Sequence, residues 1–513
     1  LYITLNFNSH EGGFPVRDSL FRVLSNKTFQ IIFLLYSSLL TFLGRQLDRG
    51  ITNFDGAYYA IKAREIFSSE SLWVVTWDGT TRFFDNPPLP FWLTGLVYKI
   101  LGVSGYAAVF SSAVFGVLIV YLTYSLCNYL YKDNWTSFLA AFVLLFPGLF
   151  MDASRRAMLD ITLAFFVTAS MFCLIKGLEN RKFYLLYGLM TGCAVLTKSV
   201  LGFFPIVVGV VFMFWHQNFK KIFDPGFVIG VLLALLVGCS WYLVNWLMFG
   251  DLFLHGHFKT SHMKLFPYDF LSNNPLYIFG YIKDMLRNYW PWLPVTAAGV
   301  FLFAKKSFKE KDFRSIFFFL WVFIPFVIMS TSRNQTLRYL FMIFPAFAII
   351  TAHTLASWLN DAQKEKALPW MIGIIMTVVL VVNVTPIQVK VSLDQNNTEA
   401  RNLAPFVHIN TKSGEKISNY GFTPWNPTQV LAFYSERFLE NPVKDAETLI
   451  QKLEENPEGT WLSPVSKFKE LKKKFPEEFY LIYGNQKFAY FTSKKNRENI
   501  TYNFFNTKVP IVR

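Results

Sequence analysis

Long apolar runs separated by short polar turns occupy the chain from residue 29 to residue 386. Crossing the hydrocarbon core of a bilayer takes roughly 20 predominantly apolar residues in a helix, and the pattern predicts about eleven such spans, eleven to thirteen at the limits. They lie near 29–45, 104–130, 134–150, 157–177, 183–198, 200–215, 225–249, 290–304, 315–331, 339–358 and 368–386. Between the first two, the 56–67 segment has helical character and the 87–101 segment is amphipathic and aromatic. Both are expected to lie in the membrane interface rather than cross it. Beyond residue 387 the pattern turns polar and mixed in charge. There Gln429–Tyr434 and Phe479–Tyr483 read as strands, and Ala446–Glu454 and Ser466–Phe475 as amphipathic helices. The expected architecture is a polytopic α-helical membrane protein with a small C-terminal α/β unit.

Composition agrees. Of 513 residues, 53% are hydrophobic and 16% charged, whereas soluble domains carry roughly 25% charged residues. A soluble enzyme and a disordered chain are both excluded. The formal net charge of +15 is not a nucleic-acid signature here, because the basic residues sort by loop. With residues 1–28 in the cytoplasm, Lys132, Arg181–Lys182, Lys220–Lys221, Lys305–Arg314 and Lys364–Lys366 all fall on the inner side. The outer side then carries a first loop (46–103), a second loop (250–289) and everything from 388 to 513; a cytoplasmic tail would require one span fewer or more. The apolar run at 29–45 is not a cleaved signal, since no small-residue cleavage site follows it. Cys127, Cys173, Cys193 and Cys239 lie in apolar segments, so no disulfide outside the membrane is expected.

Charges that the inside-positive pattern does not explain are the informative ones. Arg155, Arg156, Lys198, Arg333 and Arg338 sit on the outer side in short loops or at helix ends. Cations there oppose topology, and an anionic ligand would use them; snorkelling to outer head groups is the bland reading. Acidic residues gather on the same side: Asp55, Asp85, Asp152 and Asp160, the last at the edge of a span. A plain structural account would pair Asp160 with Arg156, four residues away on one helical face.

Asp55-Gly56-Ala57-Tyr58-Tyr59-Ala60, Phe84-Asp85-Asn86-Pro87-Pro88-Leu89 with Trp92, and Arg156 to Asp160 resemble motifs of bacterial lipid-phosphate-sugar glycosyltransferases. Leu196-Thr197-Lys198, Tyr289-Trp290-Pro291-Trp292, Ser332-Arg333, Arg338-Tyr339 and Pro345 follow in the same order. The relatives are protein O-mannosyltransferases, lipid A aminoarabinose transferases and lipopolysaccharide galacturonosyltransferases. The resemblance implies a GT-C fold with residues 29–387 as the membrane catalytic domain, a polyprenyl-phosphate sugar donor and an outer-face active site. It implies no nucleic-acid partner. The acceptor would be an envelope molecule, lipid A or lipopolysaccharide first and protein second, at the bacterial inner membrane.

On that resemblance Asp55 matches the catalytic acidic residue of the first loop, although Gly56 stands where relatives have a second carboxylate. Asp85-Asn86-Pro87-Pro88 departs from the Glu-Lys-Pro-Pro of aminoarabinose transferases. A polyprenyl phosphate leaves as a stable anion, so the reaction calls for positive charge rather than a general acid. Arg156, Lys198, Arg333 and Arg338, with Tyr59, are the candidate donor-phosphate ligands. Asp55 and Asp160 are the candidate catalytic carboxylates, and direct displacement predicts inversion. Asp85, Asp152, Arg155 and Trp92 complete the candidate site; Tyr59 and Trp92 read equally as interface anchors. The second loop holds His255, His257 and His262. By resemblance Asp85 and His262 would hold zinc, but the spacing matches no standard zinc motif. A transporter or flippase of lipid-linked sugars is the alternative class. It is disfavoured by the large first loop and by the lack of a visible internal repeat. A ligase using a diphosphate donor would want its large loop late in the membrane region.

Overall fold

A computed structural model describes residues 21–44, 50–51, 53–67, 71–77, 81–146, 148–217, 222–262, 278–332, 335–384, 398–422 and 428–501, without the side chains of 217, 259–262 and 278. The helices are α1 (Lys27–Leu43), α2 (Phe54–Glu65), α3 (Leu89–Leu101), α4 (Gly105–Tyr131), α5 (Asn134–Leu145), α6 (Gly148–Ser154), α7 (Leu159–Glu179) and α8 (Lys182–Lys198). They continue as α9 (Phe204–Gln217), α10 (Pro225–Phe249), α11 (Ile278–Asn288), α12 (Leu293–Lys309), α13 (Phe313–Ser330), α14 (Phe344–Trp358) and α15 (Asp361–Val384). Local chemistry sets their starts. Asn26 accepts from the Thr28 and Phe29 amides, Ser104 from Ala107, Asp133 from Trp135 and Thr136, and Asp312 from Ser315. Each satisfies N–H groups that a helix leaves open at its start.

Helices occupy all eleven predicted runs. Among the described residues, seven stretches are long and apolar enough to cross a membrane, or eight if the bent pair α5–α6 counts as one span. The count of eleven is therefore not reproduced on length alone. One of the seven, Lys182–His216, is not a single rod. Ser199 has φ 51° and breaks the helix, residues 199–203 form a 3₁₀ turn, and Tyr187 on α8 donates from its hydroxyl to the Pro205 carbonyl at 2.8 Å. The chain thus turns back at the end of α8, with Gly202 so close to the Ala194–Val195 backbone that no Cβ would fit.

α8 packs on α10 through small residues. Gly188 meets the Gly230 carbonyl, and a Cβ on Gly192 would reach the Val237 side chain at 2.6 Å. Close backbone approach of this kind is how apolar helices associate in lipid. At one end of the bundle lie the basic turns: the Trp135 indole donates to the Lys364 carbonyl at 2.9 Å, and the Arg314 guanidinium stacks 5.2 Å from the Tyr131 ring centre. Chain alternation brings the 53–101 segment, the α6–α7 turn, the α8–α9 turn and residues 335–343 to the other end.

The C-terminal unit contains α16 (Thr398–Ile409), β1 (Ser418–Asn419), α17 (Gln429–Ser435), α18 (Ala446–Glu455), β2 (Thr460–Pro464), α19 (Val465–Lys474), β3 (Phe479–Gly484) and β4 (Phe488–Ser493). The sheet order is β1-β2-β4-β3, with β1 parallel to β2 and the other pairs antiparallel. Three of the four expected elements appear as read. The exception is Gln429–Tyr434, expected as a strand and found as helix α17. Its Val430, Leu431, Ala432 and Phe433 are all buried, and a short run that is apolar on every side carries no period to tell the two apart. This unit is not separate from the first loop: Ile51, Ala57, Ala60 and Ile61 share one core with Leu403, Val430, Leu431 and Phe433.

Candidate active site

α2 presents Asp55, Tyr58, Tyr59 and Lys62 at offsets of three, four and seven residues, which puts them along one helical face. Asp55 sits in the first turn, where a carboxylate complements the helix dipole. Its Oδ2 accepts from Arg338 Nη1 at 2.9 Å. Arg338 comes from the 3₁₀ stretch Leu337–Ile343. A second pair joins Asp160, at the start of α7, to Lys198, at the end of α8. The helix break at Ser199 delivers that lysine, whose ammonium also lies 4.4 Å from the Tyr339 ring centre. Exposure separates the two pairs: side-chain exposure is 28% for Asp55 and 22% for Arg338, but 5% for Asp160 and 14% for Lys198. Of these two carboxylates, Asp55 is the one an incoming substrate can reach.

Tyr59, on the same face of α2 as Asp55, feels the charges of both pairs. Burial pushes its hydroxyl well above the usual phenol range, and the charges of Asp55, Asp160 and Asp85 push it further, with Arg338 opposing. It stays protonated and can donate a hydrogen bond. A third pair, missed by the sequence reading, joins Asp85 Oδ1 to Lys62 Nζ at 2.7 Å. Lys62 is fully buried, over the Tyr58 ring at 3.9 Å and the Phe83 ring at 4.7 Å. Burial pulls its pKa down while Asp85 pushes it back up. Asp85 Oδ2 also accepts from the Tyr58 hydroxyl at 3.1 Å and the Asn86 amide at 3.0 Å. The seven-residue offset of Lys62 from Asp55 was the available signal.

The other expected residues are placed differently. Arg156 pairs with Asp152 at 2.8 Å, and Asp160, for which the plain structural account offered Arg156, pairs with Lys198 instead, because the α6–α7 turn separates Arg156 from the α7 helix. Arg155 donates to the carbonyls of Thr41 and Gly44, closing the end of α1. The Trp92 indole donates to the Leu72 carbonyl at 2.6 Å and packs edge-on to Trp73. Arg333 and the His262 side chain lie outside the described residues.

Among the described residues no group of three or more His, Cys, Asp or Glu side chains could hold a metal ion. Asp85 fits a dication poorly, because the Lys62 ammonium is already on it. His257, fully buried, has both ring nitrogens engaged, Nδ1 with the Phe84 carbonyl at 2.5 Å and Nε2 with Ser199 Oγ at 3.1 Å. It thereby ties the residue before Asp85 to the residue after Lys198.

Residues 85–243 match the family model described as dolichyl-phosphate-mannose-protein mannosyltransferase. An uncharacterized protein of Aquifex aeolicus is 27% identical over 331 residues, 63% of this chain and 64% of that one. The undecaprenyl phosphate-alpha-4-amino-4-deoxy-L-arabinose arabinosyl transferase 2 of Proteus mirabilis is 26% identical over 340 residues, 64% of this chain and 60% of that one. The matches thus span about three fifths of the length of these curated relatives. Among solved structures, ArnT from Cupriavidus metallidurans bound to undecaprenyl phosphate superposes with TM-score 0.70 at 15% identity, covering 90% of this chain and 97% of that one. The apo oligosaccharyltransferase of Archaeoglobus fulgidus superposes with TM-score 0.55 at 14% identity, covering 91% and 75%.

Proposed function

We propose that this chain, a multi-pass membrane protein of GT-C fold, is a glycosyltransferase that moves a sugar from a polyprenyl-phosphate donor to an acceptor of the bacterial envelope. The observation that carries the reading is the convergence of two carboxylate–cation pairs, Asp55–Arg338 and Asp160–Lys198, around Tyr59 at the end of the bundle opposite the basic turns. The named relatives and the undecaprenyl phosphate in the ArnT structure support the donor class. Lipid A or lipopolysaccharide is the first acceptor class and protein the second. The site faces the periplasm, with residues 1–28 cytoplasmic, 29–387 as the membrane catalytic domain, and 388–513 on the outer side.

In this reading Arg338 and Lys198 meet the donor phosphate. A guanidinium has five N–H groups, so Arg338 keeps Asp55 on one arm while offering others to phosphate. The Tyr59 hydroxyl adds a neutral donor, and Arg333, five positions before Arg338 in the sequence, is a further candidate. The acceptor oxygen attacks the anomeric carbon from the face opposite the phosphate. The carbon–oxygen bond to phosphate breaks, the polyprenyl phosphate departs as an anion, and Asp55 takes the acceptor's proton when that acceptor is a hydroxyl. Asp160, shielded from solvent, holds Lys198 in place. The product anomer is inverted. No step is drawn through a metal.

The test compares envelope glycolipids and glycoproteins by mass spectrometry in cells with and without the chain. One species gaining a single sugar only when the chain is present supports transfer. Accumulation of lipid-linked sugar on one leaflet, with every glycan unchanged, would replace this reading with a flippase.

A further inference from the structure

Between Gly44 and Asn53 the described residues are Gly50 and Ile51, and both touch the C-terminal unit. The Ile51 amide donates to the Tyr434 hydroxyl at 2.7 Å. That hydroxyl enters a notch formed by two glycines. A Cβ on Gly105 would lie 2.8 Å from it, and one on Gly50, whose φ is +56°, would collide with it. The Arg401 guanidinium stacks over the Tyr434 ring at 5.4 Å. Near the far end of α2, Arg64 Nη1 donates to the Phe433 carbonyl at 3.3 Å. The side of α2 away from Asp55 packs on α17 through Ala57, Ala60 and Ile61. Helix α2 is thus gripped from behind by the C-terminal unit at its entry and near its end, while its front face carries Asp55, Tyr59 and Lys62.

We propose that Tyr434 is a positioning residue for Asp55, and that the C-terminal unit is part of the scaffold of the active site. Tyr434 acts through the entry of α2, whose first turn holds the carboxylate. A 2.9 Å bond joins Asp55 and Arg338 across 283 positions of sequence, so their contact depends on the angle at which α2 is held. This inference rests on the glycosyltransferase reading for its kinetic arm alone.

The experiment uses the full-length chain with Tyr434→Phe, which removes only the hydroxyl, and separately Gly105→Ala, which crowds it. Sugar transfer, thermal midpoint and amide hydrogen exchange of peptides covering 50–60 are measured. For Tyr434→Phe the expected result is kcat lowered about tenfold, the scale of one lost hydrogen bond at a positioned group, with donor KM within about twofold. Exchange in 50–60 is faster while peptides from β2 and β4 keep their protection. Gly105→Ala moves both readouts in the same direction. Unchanged exchange in 50–60 overturns the proposal, as does uniformly faster exchange with a fallen thermal midpoint, which marks plain destabilisation. A raised donor KM at unchanged kcat also overturns it. Should the wild-type chain transfer no sugar, the function reading fails and hydrogen exchange alone decides the role of Tyr434.

Discussion

At the scale of single residues, Asp55, Asp85, Asp152 and Asp160 each face a cation, and the pairings assign different work. Asp55 with Arg338 is the reachable pair, so Asp55→Asn is expected to lower the rate at least about a hundredfold, as loss of a general base does. Binding of free polyprenyl phosphate should hold or tighten, because one anion competing for Arg338 has gone. Fluorescence titration of vesicles containing the protein checks this, and weaker binding by Asp55→Asn contradicts it. Lys62 makes a separate prediction. Its neutral replacement by Met leaves Asp85 without its buried partner, and the expected cost is about 2–3 kcal/mol, below the full figure for a buried pair because Asp85 is partly exposed. Lys62→Met with Asp85→Asn should recover most of that loss in thermal midpoint; additive losses would show that the two residues do not act as a pair.

Elements show why some features were legible in advance and others were not. Spans and interfacial helices follow from runs and periods of apolar residues, which the sequence displays directly, and α2, α3, α18, α19 and β3 lie close to where the pattern put them. Asp55, Asp160, Lys198 and Arg338 were visible as charges out of place at one end of the bundle. Partner choice was not visible, since it depends on where a helix stops: the break at Ser199 turns Lys198 towards Asp160, while the α6–α7 turn leaves Arg156 with Asp152. Lys62 was hidden because a lysine in an exposed-looking loop helix carries no mark of burial until Phe83 and Phe91 close over it. The α8–α10 seam gives a test at this scale. Gly188→Leu, against the Gly230 carbonyl, should prevent recovery of folded protein in detergent, whereas Gly373→Leu on α15, with nothing within 4 Å, should be recovered normally. Equal recovery of both would mean that the seam is not closely packed.

For the whole molecule, the account joins a helical bundle, a first loop and a C-terminal α/β unit around one charged end. The bundle supplies Asp160, Lys198 and Arg338, the first loop supplies Asp55 and Tyr59, and the C-terminal unit backs α2. Sugar and acceptor are separate matters: the site holds cations and carboxylates in pairs, a balance that favours neither an acidic nor an amino sugar. The most direct test of the central claim is sugar transfer in vesicles by wild-type chain and by Asp55→Asn, with a polyprenyl-phosphate-linked sugar and lipid A followed by mass spectrometry. The account predicts a lipid A product with one added sugar from the wild type, and loss of that product from Asp55→Asn while polyprenyl phosphate still binds. Product formed by Asp55→Asn at the wild-type rate would contradict it.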